Sequence, residues 1–116
     1  MTINQKTWNI NRKLDCNSYN LVYAIFCIKE NCQKVYIGET KRLLKFRIAD
    51  HRGYVLNQRT DKSTGHHFNM PGHSLADLRV TALQHTQGRS NEYRKEREHY
   101  LIQKFDTFHN GINRQK

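Results

Sequence analysis

Glu98 lies on a helical face that is otherwise apolar. Its spacing to Leu101, Ile102 and Phe105 is i, i+3, i+4 and i+7, which places all four on one stripe of a helix predicted over residues 91–108. A carboxylate turned toward a core loses its hydration, so it must be paired, protonated or bound to a metal ion. A second predicted helix, residues 41–56, repeats the anomaly, because Arg47 and His51 share a side with Leu44, Ile48 and Val55. Such placement points to a site rather than a surface. The bland alternatives are a solvated helix edge for Arg47 and His51, and an ion pair from Glu98 to Arg94 or Arg47. Cys27 and Cys32 are spaced Cys-x4-Cys, and His67 and His73 His-x5-His. Thiolates and imidazoles together suit a tetrahedral zinc site, but in a chain with 7 His this set is as often coincidence as site.

The elements that must position these residues are short. Residues 21–27 (LVYAIFC) are apolar and rich in strand formers, and residues 34–38 (KVYIG) read as a second strand. The polar link between them is short enough for a hairpin, so the two are predicted to be antiparallel neighbours. Alternation puts Tyr23 on one face with Leu21 and Ile25, and Tyr36 on the face opposite to Val35 and Ile37. The register then decides whether the two phenols meet, the alternative being two aromatics packed in a core. Thr40 is the expected N-cap of the first helix and Ser90 that of the long one. Residues 57–72 are polar and His-rich, predicted as loop with one helical turn at 66–69, and residues 78–83 (LRVTAL) as a third strand. The sum is an α+β domain, a small three-stranded antiparallel sheet flanked by helices.

Bulk properties narrow the partners. The chain has 116 residues, enough for one core, and 20 Lys and Arg against 10 Asp and Glu give a net charge of +10. Basic residues run from end to end, so a polyanion is the expected partner. Three cysteines are too few, and odd in number, for a secreted disulfide framework, which favours a reducing, intracellular setting. No apolar run approaches bilayer length, and no membrane partner is expected. Residues 1–20 are expected to be a polar N-terminal extension, the trimmed edge of a larger protein, ahead of a domain over 21–116.

The order Leu21-Val22-Tyr23, Tyr36-Ile37-Gly38, Arg47 and His51, Glu98, then Asn113 resembles the GIY-YIG endonuclease family over nearly the whole chain. The helix motif Arg-x-x-x-His and the segment from Glu96 to Tyr100 carry the resemblance along with the tyrosine pair. The first motif departs from the family name, reading Leu-Val-Tyr, but it keeps the tyrosine and substitutes apolar residues at strand positions. Cys27 and Cys32 between the tyrosine motifs, with HHFNMPGH after the first helix, resemble the endonuclease domain of Penelope-like retroelements.

The resemblance implies a GIY-YIG nuclease fold and hydrolysis of DNA by in-line attack of water. It implies Tyr23 as general base, which requires a neighbouring cation such as Arg47 to lower a phenol pKa near 10. Arg47 would also fork onto a phosphate oxygen, and Glu98 would hold a magnesium or manganese ion. Tyr36 and His51 would orient the phosphate or relay a proton, and Asn113 would support the metal or the phenol–water network. The narrower resemblance implies structural zinc on Cys27, Cys32, His67 and His73, with His66 competing for the place of His67. It also implies an upstream reverse transcriptase in the same polyprotein, a cut that primes integration, and action on chromosomal DNA in the nucleus. The alternatives are a non-catalytic, zinc-stabilised nucleic-acid-binding module, and a host repair or restriction nuclease of the same family.

Overall fold

A computed structural model describes residues 2–3, 6–8 and 14–114. The central strand is β3 (Leu21–Cys27), every residue of which except Phe26 is fully enclosed. Its β-branched and aromatic side chains fit a strand covered on both faces. The hairpin partner β4 (Val35–Thr40) and the later β5 (Leu78–His85) flank it in the order β4-β3-β5, both antiparallel. A bulge at Val22/Tyr23 interrupts the β3–β5 register. This is the expected α+β architecture, with β4 and β5 running two residues past their predicted ends.

The two faces of the sheet hold two cores. Tyr23 and Ile25 face Leu44 and Val55 of α1 (Leu44–Leu56) and Phe68 of α2 (Ser63–Phe68). Val22, Ala24, Val35 and Ile37 face Leu101, Ile102 and Phe105 of α3 (Asn91–Phe105). The helices therefore lie on opposite faces, and both reach the outer edge of β4.

Helix starts show what a sequence reading catches and misses. Ser90 caps α3 as expected, its hydroxyl accepting from Tyr93 N at 3.1 Å. Thr40 does not cap α1. It ends β4, and its Oγ1 accepts from Arg42 N at 3.1 Å in the connecting turn. The orphan N–H groups of α1 find backbone carbonyls instead, Leu44 N donating to Ser18 O (2.8 Å) and Lys45 N to Cys16 O (2.9 Å). α3 stops at Phe105 rather than 108, where Asp106 turns left-handed with φ 54°. The expected turn at 66–69 is α2, beginning earlier.

The polar N-terminal stretch contributes more than its hydropathy suggests. β1 (Thr2–Ile3) pairs with β2 (Lys6–Thr7), and Ile3 is buried in the second core. Trp8 packs edge-on to Phe105 and donates from Nε1 to Leu83 O at 2.9 Å.

Candidate active site

The β3–β4 register sets Tyr36 opposite Ile25 and Gly38 opposite Tyr23, so the two tyrosines are diagonal neighbours on one face. Their ring centroids are 6.3 Å apart. Gly38 is what lets the phenol of Tyr23 lie flat against β4: a Cβ there would stand 2.5 Å from Tyr23 Oη and 2.8 Å from Tyr36 Cε1. α1 closes over this pair. His51 Nε2 lies 2.7 Å from Tyr23 Oη, and Arg47 Nε donates to the same oxygen at 3.2 Å. The other end of His51 is held by Thr64 of α2, with Nδ1 2.7 Å from Thr64 Oγ1.

Electrostatics divide the two phenols. Burial pushes Tyr23 well above the usual phenol range, with the neighbouring Tyr36 adding to the rise, and Arg47 offsets only part of it. The expected lowering by Arg47 thus exists but is outweighed. Burial also raises Tyr36, against the Arg47 guanidinium and the neighbouring Tyr23 hydroxyl. Tyr23 is fully enclosed, whereas Tyr36 is half-buried and opens into solvent. Burial, and then Arg47, lower His51 to about 3, so its imidazole is neutral at physiological pH and has a nitrogen lone pair to accept a hydrogen bond.

Glu98 arrives from the other helix. A groove of about 530 Å³ at the β4 edge is lined by Tyr36, Arg47 and Glu98, with Glu39, Arg94 and Lys95 around them. A second hollow of about 350 Å³ shares Tyr36 and Glu98. Among the described residues Glu98 has no ion pair: Arg94 is taken by Glu39 (3.2 Å) and by Asn20 (2.9 Å), and Arg47 by Asp50 (3.3 Å). Burial, and then the adjacent Glu39 carboxylate, push Glu98 up to about 7, while Arg47 and the Glu39 backbone N–H pull it down. An acid held in a groove without a cation partner suits a hard divalent ion whose remaining positions are filled by water and substrate.

Asn113 lines the second hollow with Tyr36 and Glu98. Its amide accepts from Ile37 N (2.8 Å) and Thr107 Oγ1 (2.6 Å) and donates to Ile37 O (2.9 Å), so it grips β4 beside them.

A separate cluster forms at the far end of β3. Ligand atoms of Cys27, Cys32, His67 and His73 all lie within 4.8 Å of one another. Cys32 Sγ is 3.5 Å from His67 Nε2, and His73 Nε2 is buried without a hydrogen-bond partner among the described residues. His66 is exposed and outside the set. Two sulfurs and two imidazoles at this spacing fit a tetrahedral zinc ion.

Sequence reading missed Glu39, Asp50 and Thr64. Period-two alternation with Val35 and Ile37 marks Glu39 as facing α3, so that signal was present. Thr64 carries none, since its partner is distant in sequence.

The family profile described as the GIY-YIG catalytic domain matches residues 19–113. No curated protein and no solved structure matches the chain significantly.

Proposed function

The chain belongs to the GIY-YIG catalytic-domain family and is a DNA endonuclease; on that premise we propose that it is a divalent-metal-dependent nicking enzyme of a retroelement. The observation that carries the hydrolytic reading is the shared groove, in which Tyr36, Arg47 and an unpaired Glu98 meet at the β4 edge.

Arg47 is the residue that grips a phosphate oxygen, since its guanidinium lines the groove while its Nε stays on Tyr23. Tyr36 would face the attacking water from the groove, with the Tyr23 ring 6.3 Å behind it, and Tyr23 in turn lies against the neutral His51. The water's proton then passes along the two phenols to His51 Nε2, each oxygen giving one proton as it takes one, so neither phenol need ionise. This arrangement removes the need for a depressed Tyr23 pKa. Glu98 would hold magnesium or manganese, which when bound neutralises charge building on the phosphate and leaving oxygens.

Cys27, Cys32, His67 and His73 would hold zinc, tying the hairpin link to α2. That ligand set, between the tyrosine motifs and after the first helix, supports the retroelement reading, with a reverse transcriptase upstream and chromosomal DNA in the nucleus as target. Elemental analysis is expected to find about one zinc per wild-type chain and a clear deficit in Cys27→Ser. Equal zinc in both proteins would remove the ligand set.

The direct test is relaxation of supercoiled plasmid. Wild type is expected to nick with magnesium or manganese and not in chelator, and Arg47→Ala to lose about 10²-fold or more. Salt-sensitive DNA binding without cleavage in any divalent ion would instead establish a binding module.

A further inference from the structure

Resting on the hydrolytic reading above, we propose that Thr64 is a positioning residue whose hydroxyl accepts the Nδ1 proton of His51 and keeps Nε2 open toward the Tyr23 hydroxyl. Thr64 is 1% exposed and His51 2%, so neither meets bulk water. The His51 ring is walled by Tyr23, Tyr36 and Tyr54 at centroid distances of 5.7, 5.3 and 5.5 Å, each edge-on. With the ring fixed in place, the groups at its two nitrogens decide which one carries the proton.

Donor arithmetic assigns it. A phenol has one proton to give and two lone pairs. Tyr23 Oη accepts from Arg47 Nε, a group that can only donate, so its own proton is directed to the acceptor beside it, His51 Nε2 at 2.7 Å. A neutral imidazole accepting at Nε2 bears its hydrogen on Nδ1, which Thr64 Oγ1 meets at 2.7 Å. Burial and Arg47 keep that ring neutral.

The anchor is built into the fold. α2 approaches α1 and the link after it closely because Gly65 has no side chain: a Cβ there would run into the Arg59 carbonyl of the link and stand 3.0 Å from the Tyr54 carbonyl of α1. Three residues after Thr64, His67 enters the Cys/His cluster, so one six-residue helix is tied at both sites.

Ring ¹⁵N NMR of the full chain tests the assignment, with Thr64→Val, Thr64→Ser, cleavage kinetics and thermal melts alongside. Wild type is expected to show His51 protonated at Nδ1 alone. Thr64→Val is expected to lose that preference and lower kcat by about 10- to 100-fold, less than the full worth of a general acid–base group. KM is expected to stay unchanged, and Thr64→Ser to restore both the spectrum and kcat. A wild-type proton on Nε2, or Thr64→Val with unaltered spectrum and kcat, would overturn the proposal. So would Thr64→Ser failing as badly as Val with an equal drop in melting temperature. A wild-type chain that cuts no DNA would sink the hydrolytic reading instead, and the ring spectra would still decide the tautomer on their own.

Discussion

Glu98→Gln is expected to lower plasmid cleavage by about 10³-fold, the rate equivalent of the several kcal/mol that a cation contributes at a phosphoryl oxygen. The same change is expected to raise the melting temperature of the metal-free protein at pH 8. The Glu98 carboxyl has an ordinary value of 4.5 and is pushed to about 7 in the folded chain by burial, then by Glu39. Below pH 4.5 it is protonated in both states, and its contribution to stability is fully present. Between the two values the unfolded chain releases the proton first, so that contribution is lost as pH rises through about 7. Gln cannot ionise and escapes the loss. Magnesium should restore melting temperature in wild type at pH 8 by mass action and do nothing for Glu98→Gln. Because only the ionised carboxylate binds the cation, wild-type cleavage should climb with pH through about 7. Melts with and without magnesium, paired with the plasmid assay, check all of this. Undiminished cutting by the variant would move the metal site elsewhere.

Gly38→Ala carries the second large effect. The added methyl would meet Tyr23 Oη at 2.5 Å and Cζ at 2.6 Å, on a ring that is fully enclosed and has no room to retreat. Overpacking of this kind costs about 1–3 kcal/mol. The displaced hydroxyl would also leave His51 Nε2 and Arg47, so cleavage should fall by about 10²-fold even where the variant is fully folded. Gly53→Ala is the matched control. Its new methyl would find nothing nearer than Asn57 Nδ2 at 4.0 Å, in a helix interior where alanine is preferred by up to about 1 kcal/mol. Urea denaturation and single-turnover kinetics on both variants separate the stability and chemical effects. Equal behaviour of the two would refute the close-approach argument.

How far the sequence discloses this site depends on the range of the signals. The strands at 21–27 and 35–40 and the helix over 91–105 are written in local alternation and periodicity, and Glu98 stands out because it breaks one of those patterns. The meeting of Tyr23 with Tyr36 is a matter of register, which composition does not fix. The first turn of α1 was misassigned because its N–H groups are satisfied by carbonyls of Cys16 and Ser18, a nonlocal solution that leaves no mark on nearby residues. Thr64 was invisible for the same reason. The phenol's pKa is legible only in part, since a neighbouring guanidinium can be anticipated from a motif while the depth of burial opposing it cannot.

β4 is the outermost strand of its sheet, yet its free margin is spoken for. Ile112 N donates to Val35 O, and the Asn113 amide satisfies both polar groups of Ile37. A bare margin would invite strand addition by another copy and, from there, fibrous aggregation. Here loop and side-chain groups occupy it at Val35 and Ile37 without laying a new strand across the opening. The protein therefore resists stacking into assemblies at the very border it must leave unobstructed for a nucleic acid to enter.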